Sequence, residues 1–210
     1  MYQRDYYENG IEMGLSCYQN YRWIPELTVP MAMTMIDYLG IKRHDSILEI
    51  GCAKGYLVKA FRVLYRKAYG IDISHYAIHN ADSEIKNFCY WGTLNKESSK
   101  YLPMIKFSVC IAKDVFEHIT KPDLIDILKY IPSTRLFVIV PLGNGNGQYI
   151  ALNNNMDKTH VICESADWWL KFFGMQKWTV EKFTYQIPGI KENYYEHYPK
   201  AHGFFTLQKI

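Results

Sequence analysis

The chain has 210 residues, 49% hydrophobic and 21% charged, with a formal net charge of +3. That composition suits a globular protein with a full core. It gives no electrostatic argument for nucleic acid or a membrane surface, and no apolar run approaches the ~20 residues of a membrane-spanning helix.

The first residues, from Met1 to Glu8, are polar and aromatic and do not read as a signal peptide. Residues 1–40 are expected to form an N-terminal helical cap. It has short pieces up to Pro25, then a helix from Leu27 to Leu39 with Met31, Met35 and Ile36 on one face and Gly40 as its stop. A first strand is expected over Ser46–Ile50, a crossover helix over Gly55–Tyr65 and a second strand over Ala68–Ile71. Ser74 is the expected N-cap of a short helix over Tyr76–Ala81. Lys86–Trp91 reads as a third strand, Asn95–Lys100 as a polar loop, and Phe107–Ala112 as a fourth strand buried on both faces. A helix over Pro122–Tyr130 and a fifth strand over Arg135–Val140 follow, and then the Gly/Asn loop 143–147. A helix over Glu164–Phe173 closed by Gly174, a sixth strand over Met175–Phe183 and a seventh over Gly203–Ile210 complete the series.

Strand and helix alternate, which predicts a doubly wound, mostly parallel α/β sheet of seven strands. The last two strands lack an intervening helix and are expected to pair antiparallel at one edge. No repeat or linker divides the chain, so one domain is expected over 1–210, with the α/β core over 45–210. The five cysteines are odd in number and form no C-x-x-C pair, which argues against a zinc site or disulfide framework and fits a reducing cytoplasm. Cys52, Cys89 and Cys110 read as small buried hydrophobes. Tyrosine is abundant, at 18 residues, and concentrated near both ends.

The chemistry-bearing stretch is Glu49-Ile50-Gly51-Cys52-Ala53-Lys54-Gly55-Tyr56, with Asp72-Ile73-Ser74 closing the next strand. A dinucleotide fingerprint needs G-x-G-x-x-G, but Ala53 and Tyr56 stand at two of its three glycine positions. The observed Glu49-x-Gly51-x-x-x-Gly55 resembles motif I of the class I S-adenosylmethionine-dependent methyltransferases, with Ala53 in place of the middle glycine. An acid beside the turn suits a cofactor whose sulfonium and amino group are cationic.

The resemblance spans about residues 45–180 and implies a Rossmann-like methyltransferase fold with an antiparallel last strand. It also implies S-adenosylmethionine as methyl donor and S-adenosylhomocysteine as product. Glu49, Gly51, Cys52, Ala53, Gly55 and Tyr56 would surround the methionine part. Asp72 would accept both ribose hydroxyls, a task suited to an acceptor-only carboxylate, and Ile73 would pack on the adenine. Tyr21 and Arg22, in a segment that folds over the cofactor in relatives, would reach its carboxylate. After the third strand, where the family often has an acid or amide, this chain has Trp91-Gly92-Thr93.

Lys113-Asp114-Val115-Phe116-Glu117-His118 resembles the D-V-L-E-H signature of small-molecule methyltransferases. Lys113 and Asp114 would border the methionine end, with His118 on the substrate side. Three readings stay open for this turn. His118 can act as a general base. Asp114, Glu117 and His118 can hold a divalent ion, as the similar E-x-x-E-H does in ubiquinone-pathway and small-RNA 2′-O-methyltransferases. Or Glu117 and His118 can simply brace the loop. No metal ligands are assigned at this level. His160 is placed like a family histidine that orients substrate, serves as base or caps the following helix, and Tyr194, Tyr195, His197, Tyr198 and His202 are candidates to shape the acceptor pocket.

The expected activity is O-methylation of a small-molecule hydroxyl on a sugar or metabolite, by a cytoplasmic monomer or homodimer. The alternatives are a non-catalytic cofactor-binding partner protein and a metal-assisted RNA 2′-O-methyltransferase.

Overall fold

The computed structural model describes residues 2–98, 101–103 and 106–210. The last two residues of the loop expected over Asn95–Lys100 therefore lie outside the described residues. In chain order the elements are α1 (Arg4–Glu8), α2 (Pro25–Leu39), β1 (Ser46–Ile50), α3 (Tyr56–Val63), β2 (Lys67–Asp72), α4 (His75–His79) and β3 (Cys89–Trp91). They continue with β4 (Val109–Lys113), α5 (Lys121–Lys129), β5 (Arg135–Pro141), α6 (Ala166–Met175), β6 (Trp178–Thr184), α7 (Glu192–Tyr195) and β7 (His202–Lys209).

The seven strands form one sheet in the order β3-β2-β1-β4-β5-β7-β6. The first five are parallel, and β7 runs antiparallel between β5 and β6. This is the expected doubly wound sheet. Period-two alternation assigns the two faces. Leu48 and Ile50 of β1, Cys110 and Ala112 of β4, and Leu136 and Val138 of β5 pack toward α5 and α6. Ile47, Val109, Ile111, Phe137 and Ile139 pack toward α2 and α3. Glu49 shares the second face with Ile47, an acid set among apolar neighbours at the carboxyl end of β1.

Several element ends differ from expectation. The third strand shrinks to three residues because 86–88 form a 3-10 turn at the sheet edge, where one neighbour holds the chain. Helix α6 begins after Ser165, whose side chain caps Trp168 N–H. It runs through Gly174 rather than stopping there. The left-handed turn that ends the segment falls on Lys177 (φ 62°), so the sixth strand starts late, at Trp178. Pro25 opens α2 at its first turn instead of preceding it, as a residue without an N–H can. Ser74 does cap its helix, accepting from Ala77 N–H.

The sheet order brings the carboxyl ends of β1, β2, β4 and β5 to one edge, where open α/β sheets bind ligands.

Candidate active site

The turn after β1 packs left-handed residues closely: φ is 70° at Gly51, 50° at Ala53 and 77° at Gly55. Gly51 has a second requirement, since a Cβ there would stand 2.4 Å from Val115 Cγ2. Ala53 accepts the same conformation at a cost of roughly 1 kcal/mol. Its amide donates to Asp72 Oδ2 at 2.7 Å, and Ser74 N–H donates to Asp72 Oδ1 at 2.7 Å. Asp72 thus ties the glycine turn to the end of β2. A carboxylate offers about four lone-pair sites, so acceptor capacity remains toward the cavity that Asp72 lines. Burial raises its pKa, against the two backbone bonds.

That cavity is about 560 Å³, inside the usual range for small-molecule sites. Gly51, Ala53, Asp72, Gly92 and Thr93 form its floor, and Tyr2, Tyr6, Tyr7 and Tyr18 form its roof. The roof is fastened to the floor. Ser74 Oγ donates to the Tyr2 carbonyl at 2.5 Å. Lys54, in the glycine turn, pairs with Glu8 at 2.5 Å and donates to the Tyr21 carbonyl at 2.8 Å. Tyr6, Tyr7 and Tyr18 pack their rings edge-on or stacked at 5.2–6.2 Å.

A second cavity, about 540 Å³, adjoins the first and shares Tyr6, Tyr18, Gly51, Ala53, Asp114 and His118 with it. Glu49, Glu117 and His160 are also in its lining. Glu49 Oε2 is buried without a hydrogen-bond partner among the described residues, and burial drives its pKa well up. A buried carboxylate with an unused lone pair calls for a cation or a donor.

Glu117, His118 and His160 converge beside it, with one ligand-type atom of each within 4.8 Å of the others. Glu117 Oε2 is buried and also lacks a partner among the described residues. His160 Nδ1 lies 2.8 Å from the Asn154 carbonyl, which only accepts, so Nδ1 carries the hydrogen. His118 Nδ1 lies 2.7 Å from Thr159 Oγ1, and that hydroxyl donates its own proton to Asp157 Oδ1 at 2.6 Å. His118 Nδ1 must therefore donate as well. Both imidazoles keep a lone pair on Nε2. Burial, then the neighbouring His160, pushes His118 down to about 4, and burial lowers His160 too. Burial, then the neighbouring Asp114, drives the Glu117 pKa well up, so near neutral pH the group consists of two neutral imidazoles and a carboxyl group that burial holds toward its neutral form.

The sequence profile of a methyltransferase-domain family matches residues 30–171. The chain belongs to that family. No curated protein matches it. Among solved structures the methyltransferase resembles a chain of the complex between the Haloferax volcanii Trm112 methyltransferase activator and the putative methyltransferase (13% identity, TM-score 0.64, covering 88% of this chain and 91% of that one). It also resembles a SAM-dependent methyltransferase from Archaeoglobus fulgidus (15%, 0.62, 85% and 92%). A third is the mitomycin 7-O-methyltransferase MmcR (13%, 0.60, 96% and 66%). At these identities the likeness is one of fold, and the fold is that of the class I S-adenosylmethionine-dependent methyltransferases.

The methyltransferase gathers most of the residues singled out from its sequence along this edge, with differences in what each does. Cys52 is buried in the core beneath the turn, close to Gly70. Tyr56 donates at 3.4 Å to the Tyr21 carbonyl, and Tyr21 packs within the tyrosine cluster. Arg22 is exposed at the rim of the second cavity. Ile73 is 62% exposed at the mouth of the first cavity. Trp91 turns its indole to the Ile73 carbonyl at 3.0 Å and does not line that cavity.

Asp114 stands apart from the Glu117–His118–His160 group. Its Oδ2 takes the ammonium groups of both Lys113 (2.6 Å) and Lys191 (2.7 Å). Burial alone would raise its pKa, but the two lysines hold it well below the usual carboxylate range. Of the three candidate ligands on that turn, Glu117 and His118 come together, and His160 rather than Asp114 joins them. Of the C-terminal aromatics, Tyr194 lines the second cavity, while the Tyr195 hydroxyl braces its own loop through Ile187 and Ile190. His202 is buried against the Tyr194 ring.

Sequence reasoning passed over Tyr2, Tyr6, Glu8, Lys54, Asp157, Thr159 and Lys191. Lys54 lies inside the glycine motif and Asp157 and Thr159 flank His160, so proximity to motif residues was their only signal. Nothing local marked Lys191. Among the described residues no helix is long and apolar enough to cross a membrane.

Proposed function

We propose that this methyltransferase O-methylates a hydroxyl of a small molecule, with the adenosine part of S-adenosylmethionine in the first cavity, its methionine end reaching past the glycine turn into the second, and the acceptor beside that end in the second. Glu49, beside the turn, suits the cofactor's cationic amino group, and Asp72 suits its ribose. The tyrosine roof shields the reacting groups from water and narrows their orientations. The neighbour MmcR, a small-molecule O-methyltransferase by its name, has the same fold.

The observation that carries the acceptor chemistry is the Glu117–His118–His160 group, three ligand-type side chains meeting in the acceptor cavity's lining. His118, held at about 4, is far too weak to deprotonate an alcohol unaided, since a water-like hydroxyl titrates near ~15.7. Two neutral Nε2 atoms, each fixed by an Nδ1–H bond on its far side, and a Glu117 carboxyl oxygen fit a divalent cation. A bound divalent cation supplies Lewis acidity that lowers a hydroxyl's pKa. The chain's own part is to hold the acceptor oxygen there and to keep Asp114 ionised but occupied by its lysines.

The test is calorimetric titration with S-adenosylmethionine and S-adenosylhomocysteine, wild type against Asp72→Ala, followed by turnover on hydroxylated small molecules with Mg²⁺, Mn²⁺ or a chelator. Binding that the substitution weakens by about 1–3 kcal/mol, and turnover abolished by the chelator, are expected. Binding without turnover on any acceptor would favour a non-catalytic partner protein.

A further inference from the structure

We propose that Tyr6 is a positioning residue that links the roof over the cofactor cavity to the His118 imidazole, so that roof closure and presentation of the His118 Nε2 lone pair are one event. The inference rests on the acceptor-side reading of His118 given above.

Four contacts form an unbroken line. The Tyr6 hydroxyl donates to Asp157 Oδ2 at 2.9 Å. Asp157 Oδ1 accepts the Thr159 amide at 2.9 Å and the Thr159 hydroxyl at 2.6 Å. Thr159 Oγ1 in turn accepts from His118 Nδ1 at 2.7 Å. Tyr6, Asp157 and Thr159 are all buried, at 5%, 7% and 7% exposure, so water does not readily replace a missing partner.

A hydroxyl has one proton. While Thr159 gives it to Asp157, the Thr159 lone pair faces His118 and selects the Nδ1–H tautomer. If Asp157 swings away, the Thr159 hydroxyl is free to turn and donate to Nδ1 instead. The imidazole then carries its hydrogen on Nε2, and the lone pair at the Glu117–His160 group is lost. Tyr6 decides which arrangement Asp157 keeps. Its ring belongs to the roof and lines both cavities. The roof's Tyr2–Ser74 and Glu8–Lys54 fastenings lie on the cofactor side, and the Tyr2 ring also meets the His118 ring edge-on at 6.0 Å. Tyr6 to Asp157 reaches the acceptor side. A ligand that fills the first cavity supports the Tyr6 ring from below and so favours the state in which His118 is correctly presented.

The experiment is long-range ¹H–¹⁵N spectroscopy of the full chain labelled with ¹⁵N-histidine, near neutral pH with chelator present. His118 is assigned from His118→Gln, and S-adenosylhomocysteine affinity is measured on the same samples. Wild type is expected to show His118 as the Nδ1–H tautomer. Tyr6→Phe keeps the ring and removes the hydroxyl. It should give a mixture of tautomers that S-adenosylhomocysteine drives back toward Nδ1–H. Its affinity should fall about three- to tenfold, the range of one hydrogen bond. Thr159→Val should release the tautomer yet leave affinity within about twofold, because Thr159 does not line the cofactor cavity. An Nε2–H signal in wild type, or a Tyr6→Phe spectrum identical to wild type, overturns the proposal. Failure of wild type to bind S-adenosylhomocysteine would instead strike at the cofactor reading, and the tautomer result would stand separately.

Discussion

The two cavities share one wall but are built in opposite ways. The floor of the cofactor cavity comes from β1, its turn and the end of β2, residues near in sequence and braced by Asp72 across a single turn. The acceptor cavity draws Glu117 and His118 from the turn after β4, His160 from the segment before α6, Lys191 from the loop before α7 and Tyr6 from α1. The first has a rigid backbone frame made by its motif. The second has side chains aimed by long-range hydrogen bonds, with its tautomers and charges fixed by partners far along the chain. Precision in one half is backbone geometry, and in the other it is a network.

The sharpest way to break that contrast is Glu117→Gln. It should cut cation-supported turnover about 10²–10⁴-fold, the several kcal/mol that Lewis-acid activation supplies, while S-adenosylhomocysteine affinity measured by calorimetry stays unchanged. A parallel loss of affinity would show that the two halves are not separable.

Next comes Gly51→Ala, which attacks the backbone frame. The added Cβ meets Val115 at 2.4 Å, and φ is 70°. A loss of roughly 2–4 kcal/mol in urea unfolding is expected, strain and overpacking together. Gly40→Ala is the control. It too is left-handed, with φ 63°, but it has nothing within 4 Å of the new Cβ, so about 1 kcal/mol is expected.

The pH dependence of stability is smaller per unit. Burial, with the neighbouring Lys191 adding to it, holds His202 down to about 3 against 6.5 in the unfolded chain. Between those values the unfolded chain binds the extra proton. Stability therefore falls as pH drops below 6.5, by at most about 1.4 kcal/mol per unit, and this contribution levels off near 3. His202→Gln should flatten that part of a denaturation-against-pH curve, and an unchanged slope would assign it to other groups.

The smallest effect is expected of Arg22→Ala. Arg22 is exposed, so unfolding free energy should move by no more than about 0.5 kcal/mol. A rise in the dissociation constant for S-adenosylhomocysteine without that loss would place its guanidinium on the cofactor carboxylate.

The sequence by itself determined the seven-stranded, mostly parallel sheet and the glycine turn with its acid, because these follow from local patterning. Period-two apolar runs make buried strands, glycines permit left-handed turns, and Asp72 lies at the end of the strand next to the motif. Element ends were less legible where tertiary contacts overrode local signals. Gly174 reads as a helix stop, yet the helix passes through it because α6 packs its aromatic face, Trp169, Phe172 and Phe173, against the sheet. At the acceptor side the sequence named His118, His160 and Asp114 but not their company. Only the tertiary structure decided that Asp114 belongs to Lys113 and Lys191, that His160 joins Glu117 and His118, and that Tyr6 reaches Asp157 across 151 positions of chain. The reason is physical. A hydrogen bond or ion pair between distant segments leaves no periodicity in either, and it exists only where the packed sheet brings the two ends together.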